Sequence, residues 1–198
     1  ANCPTIAYSG EIDKQKQAAD VMERELKKEG LDMLHIIGPQ TAHKIHPDSL
    51  IEIERRLADI TAVGRDKTPK DVHFTTWTLR YNQMNWITID GISEHWERAR
   101  VDASVLGDSS MEVKTSNVTA LTLDFPAGHC PFDVLKKPRV VVDGKLISAP
   151  QPKLDRSWRL SLVKSAGKWT TPGEPAKDAA LAKTHGLQGP IDDAFWDA

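Results

Sequence analysis

The feature that most constrains this fold is a change of sequence pattern about a third of the way along the chain. Two segments before the change carry apolar residues at helical spacing, and each follows a short apolar run. The charged stretch 65–70 contains Pro69, and beyond it helical periodicity is lost for roughly a hundred residues. We therefore predict two domains, 1–64 and 71–171, joined by a linker at 65–70 and followed by a truncated, partly helical tail at 172–198.

The first half of the first domain has the order strand, helix, strand. A short apolar run over 4–8 stops at Ser9-Gly10, which is typical of a buried strand in a parallel sheet. Residues 14–29 form a predicted helix that ends at Gly30, and 33–37 forms a second strand. The predicted buried stripe of this helix consists of Ala18, Val21, Met22 and Leu26. Two parallel strands joined through a helix make one right-handed crossover unit.

A second predicted helix begins at Pro47-Asp48-Ser49 and fades near Gly64. Ser49 and Glu52 have the spacing of a capping box, in which the two residues satisfy each other's free backbone N–H groups. The apolar stripe of this helix is Leu50, Ile53, Leu57 and Ile60.

The second domain, 71–171, is predicted to consist of short strands. β-branched and aromatic residues dominate several segments, often alternating with polar ones, and turn residues separate these segments. Asp143-Gly144 between two apolar arms indicates a hairpin, and 158–163 with 168–170 indicates another. This many short strands favour an antiparallel β-sandwich. The predicted fold class is therefore α/β followed by all-β.

The composition excludes several classes of partner. The formal net charge is −2, the pI is about 6.4, and no run of Lys or Arg is long enough for nucleic acid. No stretch of 18 apolar residues indicates a membrane segment. The cysteines, Cys3 and Cys130, are expected to be buried free thiols, with a bridge between them left open. We expect neither a metal nor another cofactor, and the sequence does not specify the oligomeric state or the compartment.

Two polar residues stand where the predicted parallel strands end. Asp13 follows the first strand and His43 follows the second, and the carboxyl ends of parallel strands meet at one edge of a sheet. A carboxylate that orients an imidazole, and the imidazole that takes a proton from serine, close a hydrolase triad in the chain order Ser, acid, His. No Gly-x-Ser-x-Gly occurs in the sequence. We therefore predict a piece of a larger enzyme, inactive alone, whose nucleophile lies upstream.

Each of these residues also has a simpler interpretation. Asp13 suits the N-cap of the helix that follows it, and Glu11 is the alternative acid. His46, three residues after His43, suggests a His-x-x-His metal site, but the pattern offers no third ligand. His35 lies within a predicted strand, where a structural histidine is the default.

The segment 8–13 (Tyr-Ser-Gly-Glu-Ile-Asp), the helix 14–29 and the loop 38–43 resemble the C-terminal end of the catalytic domain in the prolyl oligopeptidase family. This is a family of serine peptidases with the α/β-hydrolase fold. The resemblance implies that Gly10 is the family glycine, Asp13 the triad acid and His43 the triad base. It also implies a peptide or ester substrate and a secreted or periplasmic location. Three further segments resemble the accessory C-terminal part of large bacterial members, namely 86–91, 140–144 and 186–195.

A non-catalytic interpretation stays open beside this one. The β domain would then be a carbohydrate- or peptide-binding module attached to a hydrolase remnant. Trp77, Trp86 and Trp158 are predicted in the sandwich core, whereas Trp96, among charged neighbours, is expected to be exposed. Exposed indoles clustered on one sheet surface would favour binding, and indoles between the sheets would favour a structural role.

Overall fold

The computed structural model of the chain describes residues 4–94 and 96–172. The chain divides into two compact units, Ala1–Asp66 and Lys67–Ala198, which we call the α/β unit and the β unit. Cys3 and nearly all of the predicted tail at 172–198 lie outside the described residues.

The α/β unit follows the predicted order of elements. These are strand β1 Ile6–Gly10, helix α1 Lys16–Lys28, strand β2 Leu34–Gly38 and helix α2 Pro47–Val63. Strands β1 and β2 pair in parallel, with Ala7 opposite His35. Because side chains alternate along a strand, Ser9 and His35 lie on one face of this sheet and Tyr8 on the other. Helix α1 lies on the His35 face, since its Glu23 carboxylate approaches that ring at 3.6 Å.

Helix α1 ends at the predicted glycine. Gly30 has a φ of +74°, which a residue with a side chain rarely adopts. The N–H groups of Gly30 and Leu31 bond the carbonyls of Lys27 and Leu26 at 3.1 and 3.0 Å. These two bonds form a Schellman ending, which satisfies the carbonyls of Leu26 and Lys27.

Each helix turns part of its predicted apolar stripe to solvent. The exposed members are Ala18, Val21, Met22, Leu50 and Leu57, whereas Leu26, Ile53 and Ile60 are partly buried. The predicted burial is therefore wrong for five of these residues. The reason is geometric: two paired strands make a surface only about 10 Å wide, which is too narrow for the full apolar side of a helix.

Helix α2 begins differently from the prediction. Its N-cap is His46, whose ring Nδ1 accepts the Asp48 N–H at 3.3 Å, and Pro47 follows at the first helical position. The predicted capping box is wrong, because Ser49 is buried inside the first turn and the Glu52 carboxylate binds two arginines of the next turn. An imidazole nitrogen replaces the expected hydroxyl as the cap.

Within its described residues, the β unit contains two five-stranded sheets. Its strands are β3 Asp71–Thr76, β4 Gln83–Met84, β5 Ile87–Ile92, β6 Ala99–Leu106, β7 Ser110–Ser116, β8 Val118–Phe125, β9 Arg139–Val142, β10 Lys145–Ile147, β11 Trp158–Ser165 and β12 Lys168–Thr170. The first sheet has the order β10-β9-β7-β6-β3, and the second has the order β12-β11-β8-β5-β4. A short 3-10 helix, Leu79–Tyr81, lies between β3 and β4.

The two predicted hairpins are confirmed as β9–β10 and β11–β12. The expectation of a purely antiparallel sandwich is wrong for one pair, since β7 and β9 are parallel, with Ser110 opposite Arg139. The chain crosses to the second sheet as β8 before it returns as β9, so β7 and β9 are not joined by a tight turn.

Both sheets contribute side chains to one hydrophobic core. Strand β6 shows the alternation clearly: its buried residues are Ala99, Val101, Ala103 and Val105. Trp86 and Trp158 are buried as predicted, but Trp77 is 49% exposed, which corrects its predicted core position. Trp77 comes just after β3, where strand alternation no longer fixes the direction of a side chain. Cys130 is a buried free thiol as expected, and burial raises its pKa.

One carboxylate in the β9–β10 turn ties the two sheets together. Asp143 Oδ1 accepts the Thr115 N–H of the first sheet at 2.7 Å. Its Oδ2 accepts the Thr115 hydroxyl at 2.8 Å, and from the second sheet the Trp169 indole N–H at 2.8 Å and the Lys164 ammonium at 3.2 Å. Burial tends to raise the pKa of this carboxyl, but the hydrogen bonds from Trp169, Thr115 and Lys164 outweigh it and lower the pKa below 3.8.

Candidate active site

The loops after β1 and β2 bring Asp13 and His43 together. Asp13 Oδ2 lies 3.0 Å from His43 Nδ1, across 30 residues of sequence. The Asp13 side chain is 13% exposed and the His43 side chain is 80% exposed. The predicted proximity of the two residues is therefore confirmed, with the carboxylate enclosed and the imidazole at the surface.

The charge on Asp13 decides which nitrogen of His43 carries the proton. The Gln15 backbone N–H, bonded to Asp13 Oδ1 at 2.9 Å, and the hydrogen bond to His43 lower the pKa of this carboxyl. An ionised carboxylate can only accept hydrogen bonds, so His43 Nδ1 must donate. His43 Nε2 then carries a lone pair that no described residue occupies, and it can accept a proton.

Asp13 also performs part of its simpler predicted role. The N-cap of α1 is Gln15, whose own side chain makes no capping bond. The Asp13 carboxylate accepts the Gln15 N–H from two residues upstream, which stabilises the turn that leads into the helix. The same carboxylate therefore orders the start of α1 through one oxygen and meets His43 through the other.

Backbone contacts hold the two loops against each other. The Ile12 N–H bonds the Thr41 carbonyl at 3.1 Å. A Cβ on Gly10 would overlap the carbonyl oxygens of Thr41 and Ala42. Glycine at this position therefore lets the His43 loop lie directly on the end of β1, which explains the residue in structural terms.

Glu11 does not act as the alternative acid in this arrangement. Its carboxylate accepts the Gln40 backbone N–H at 2.7 Å, so it binds the turn that precedes His43 rather than the imidazole. His46 is used as the N-cap of α2. Among residues 4–94 and 96–172, no group of three or more His, Cys, Asp or Glu is arranged to hold a metal ion.

Tyr8 is a residue of this site that sequence reasoning missed. Its hydroxyl donates to the Lys44 carbonyl at 3.1 Å and accepts the His46 N–H at 2.8 Å. A tyrosine within an apolar strand carries no sequence signal for such a contact, because the acceptor and the donor lie 36 and 38 residues away.

Under α1, a histidine ring contacts a serine hydroxyl. His35 Nε2 is 2.9 Å from Ser9 Oγ, while its Nδ1 is 3.6 Å from Glu23 and 3.9 Å from Asp20. The His35 side chain is 6% exposed and Ser9 lies within β1. A substrate cannot reach this serine, so the cluster is structural, as predicted for His35.

Another close contact between a histidine and a carboxylate lies on the first sheet of the β unit. His73 Nδ1 is 2.6 Å from Asp102 Oδ1. Arg100 donates to both oxygens of this carboxylate, at 2.7 and 2.9 Å. Burial opposes the ionisation of Asp102, but the bonds from Arg100 and His73 prevail and lower its pKa. Arg100 therefore forms an ion pair with Asp102 along β6, and His73 reaches the same carboxylate from the neighbouring strand β3.

A shallow groove of about 410 Å³ also lies in the α/β unit. Its lining includes Ile6, Leu34, Arg56 and Ile60. Ile6 and Leu34 are the first residues of β1 and β2, whereas Asp13 and His43 follow the last. The groove is therefore at the opposite end of the strands from the candidate site.

No helix within the described part of the chain combines the length and the apolar composition needed to cross a membrane. Comparisons of the sequence with models of protein families and with curated proteins, and of the structure with solved structures, found no significant match.

Proposed function

We propose that this chain supplies the acid and the base of a serine hydrolase of the prolyl oligopeptidase type, acting on a peptide or an ester. The observation that carries the proposal is the 3.0 Å contact between Asp13 Oδ2 and His43 Nδ1 at the carboxyl ends of two adjacent parallel strands. This is the sheet edge at which open α/β folds bind their ligands. The serine nucleophile would come from a segment outside the 198 residues.

The proposed chemistry gives the two ring nitrogens of His43 different roles, proton transfer at Nε2 and orientation at Nδ1. Nε2 accepts the proton of the attacking serine hydroxyl as the C–O bond to the acyl carbon forms, and later gives this proton to the leaving group. The Nδ1–H stays bonded to Asp13, which holds the ring orientation and stabilises the imidazolium. The lowered pKa of Asp13 suits this role, because the residue must remain a carboxylate while the ring is charged.

The packing of the α/β unit supports a wider sheet than two strands. Among its described residues, Met33 at 8% exposure is the only buried large hydrophobic side chain. Both helices also expose part of their apolar stripes, as described above. A parallel sheet is normally covered on both faces, and an isolated strand pair is marginally stable. Additional strands beside β1 or β2 would bury these stripes and could carry the serine.

The test uses the complete gene product that contains these residues. A fluorophosphonate probe is expected to label one serine upstream of them and none within 1–198. His43→Gln should slow the reaction by on the order of a millionfold, and Asp13→Asn by on the order of ten-thousandfold. His73→Gln is the matched control, because it removes a histidine–aspartate contact of 2.6 Å from the β unit.

Two results would contradict the proposal. One is a complete gene product with no strand, Gly-x-Ser-x-Gly and helix upstream of these residues. The other is labelling of an upstream serine at a rate that does not change in the His43→Gln variant. Stoichiometric labelling of a serine within the chain itself would show that the nucleophile had been wrongly placed outside it.

A second candidate function has one specific observation in its favour. Trp77 and Trp96 are 49% and 63% exposed, and the backbone N–H of Trp96 bonds the backbone carbonyl of Trp77 at 3.0 Å. Two exposed indoles on backbone segments joined by a hydrogen bond suit the stacking of sugar rings or proline rings. They lie in loops rather than on a sheet surface, so the site would be at an edge of the β unit.

This alternative is tested by affinity electrophoresis against a panel of soluble polysaccharides and by titration with proline-rich peptides. Trp77→Ala and Trp96→Ala should each weaken binding by about tenfold or more. Each change would remove both the aromatic stacking contact and the apolar area that the indole buries on the ligand. Tyr81→Ala is the control, since Tyr81 is 71% exposed but has no bond to either tryptophan. Absence of binding to both ligand panels would remove the second candidate.

A further inference from the structure

Side-chain packing does not fix the orientation of the exposed His43 ring, so hydrogen bonds must do so. With 80% of its side chain exposed, few atoms surround the imidazole. The protonated nitrogen of a histidine is set by the hydrogen bond that the ring makes. The contact between Nδ1 and Asp13 therefore depends on how firmly the backbone around His43 is held.

Hydrogen bonds on both sides of His43 hold this backbone. On the N-terminal side, the Thr41 carbonyl accepts the Ile12 N–H at 3.1 Å. On the C-terminal side, the Tyr8 hydroxyl bonds both Lys44 and His46, as described above. Within the described residues, Tyr8 is the only side chain from outside the loop that bonds residues 44–46.

The Tyr8 hydroxyl lies close to the backbone at the end of β2. A Cβ on Gly38, at the end of β2, would overlap the Tyr8 hydroxyl. Glycine therefore leaves the space through which the phenol reaches the loop. The hydroxyl uses its single hydrogen for Lys44 and a lone pair for His46, so both bonds match the normal capacity of a phenol.

We propose that Tyr8 is a positioning residue for His43, acting through its hydroxyl on the backbone of residues 44–46. This inference rests on the proposed function, since it assigns the role to a base. It predicts that loss of the hydroxyl loosens the loop and breaks the contact between Nδ1 and Asp13, while the strands stay paired. The measurable consequence is a change of the His43 tautomer.

The test is ¹⁵N NMR of the full chain with labelled histidines, at a pH where the imidazoles are neutral. Unaltered protein is expected to show His43 with its proton on Nδ1. In Tyr8→Phe, this tautomer should decrease relative to the Nε2–H form by about fivefold, the factor expected from losing one ordinary hydrogen bond. Tyr81→Phe is the matched control, because Tyr81 is the other tyrosine of the chain and lies in the β unit.

His35 provides an internal control for the fold of the same unit. Its ring bonds Ser9 across β1 and β2, so its signals report whether these strands remain paired. A change at His43 with unchanged His35 signals supports the positioning role. Unchanged His43 signals in Tyr8→Phe would overturn it, and so would equal changes at both histidines, which would make Tyr8 a general support of the sheet.

Two measurements on the unaltered chain complete the test. The His46 amide, which donates to Tyr8, should exchange with solvent at least about fivefold more slowly than the His43 amide. Equal exchange of the two amides would overturn the inference without any variant. Unaltered protein that lacks the Nδ1–H tautomer at His43 would instead remove the base from the proposed function, and the role of Tyr8 with it.

Discussion

Asp143→Asn should destabilise the β unit, because Asp143 is the acceptor for donors from both sheets. Asparagine is the most informative replacement, because it keeps the size and shape of the side chain. Asp143 has a φ of +48°, and asparagine tolerates this conformation, so the β9–β10 turn is kept. The change replaces one acceptor oxygen by an NH₂ group and removes the negative charge.

The expected loss follows from the four bonds to this carboxylate. Whichever way the new amide turns, its NH₂ faces either the Thr115 N–H or the Trp169 N–H, so one of these donors loses its acceptor. An unsatisfied, largely buried donor costs about 1–3 kcal/mol. The partly exposed ion pair with Lys164 adds up to about 1 kcal/mol. We expect the free energy of unfolding to fall by about 2–3 kcal/mol.

Urea unfolding followed by tryptophan fluorescence measures this loss. Residues 1–66 contain no tryptophan, so the signal does not report the α/β unit. With a typical slope of about 2 kcal/mol per molar urea, the midpoint should fall by about 1 M. Asp124→Asn is the control, since Asp124 forms one exposed ion pair with Arg159 and should change the free energy by about 1 kcal/mol or less.

The effect also has a defined pH dependence. The pKa of Asp143 is lowered from 3.8 in the folded protein, so its contribution is present above that value and is lost as the pH falls through the lowered pKa. The difference between Asp143→Asn and unaltered protein should therefore be constant above about pH 5 and shrink below about pH 4. A variant within about 0.5 kcal/mol of the original at pH 7, or a difference that grows in acid, would refute the reasoning.

Three other predictions concern single residues. Gly10→Ala should displace the His43 loop, because the new Cβ would overlap the carbonyl oxygens of that loop. The free energy of unfolding should fall by about 1–3 kcal/mol, and the Nδ1–H signal of His43 should disappear. Unchanged NMR spectra would contradict the close approach at Gly10. Met22→Gln should change the free energy of unfolding, measured by circular dichroism, by less than about 0.5 kcal/mol, because Met22 is exposed. Leu26→Ala should cost about 1–2 kcal/mol, because Leu26 is partly buried. A larger loss in Met22→Gln than in Leu26→Ala would show that Met22 is buried, as the apolar stripe predicted. Asn117→Ala should cost about 1–3 kcal/mol in urea, because its side chain bonds the backbone of the 94–97 loop three times; an unchanged midpoint would count against this.

Local sequence signals predicted several features that the structure has. Asp143-Gly144 is a turn of positive φ between apolar arms, and it forms the β9–β10 hairpin. Gly30 ends α1. Asp13 and His43 meet because each follows a strand of one parallel pair, and the order of elements alone brings such loops to one edge. These features depend on residues close in sequence, or on topology that follows from element order.

The tertiary structure decided what covers each element. Periodicity shows that Met22 lies on an apolar side of α1, but two strands cannot cover that side, and it stays exposed. Trp77 matches a core residue by type and yet follows the end of its strand. Tyr8 contacts the His43 loop through partners 36 and 38 residues away, at distances that no local pattern encodes. A sequence determines on which side of an element a residue lies, whereas its burial and hydrogen bonds depend on which distant segments pack against that side.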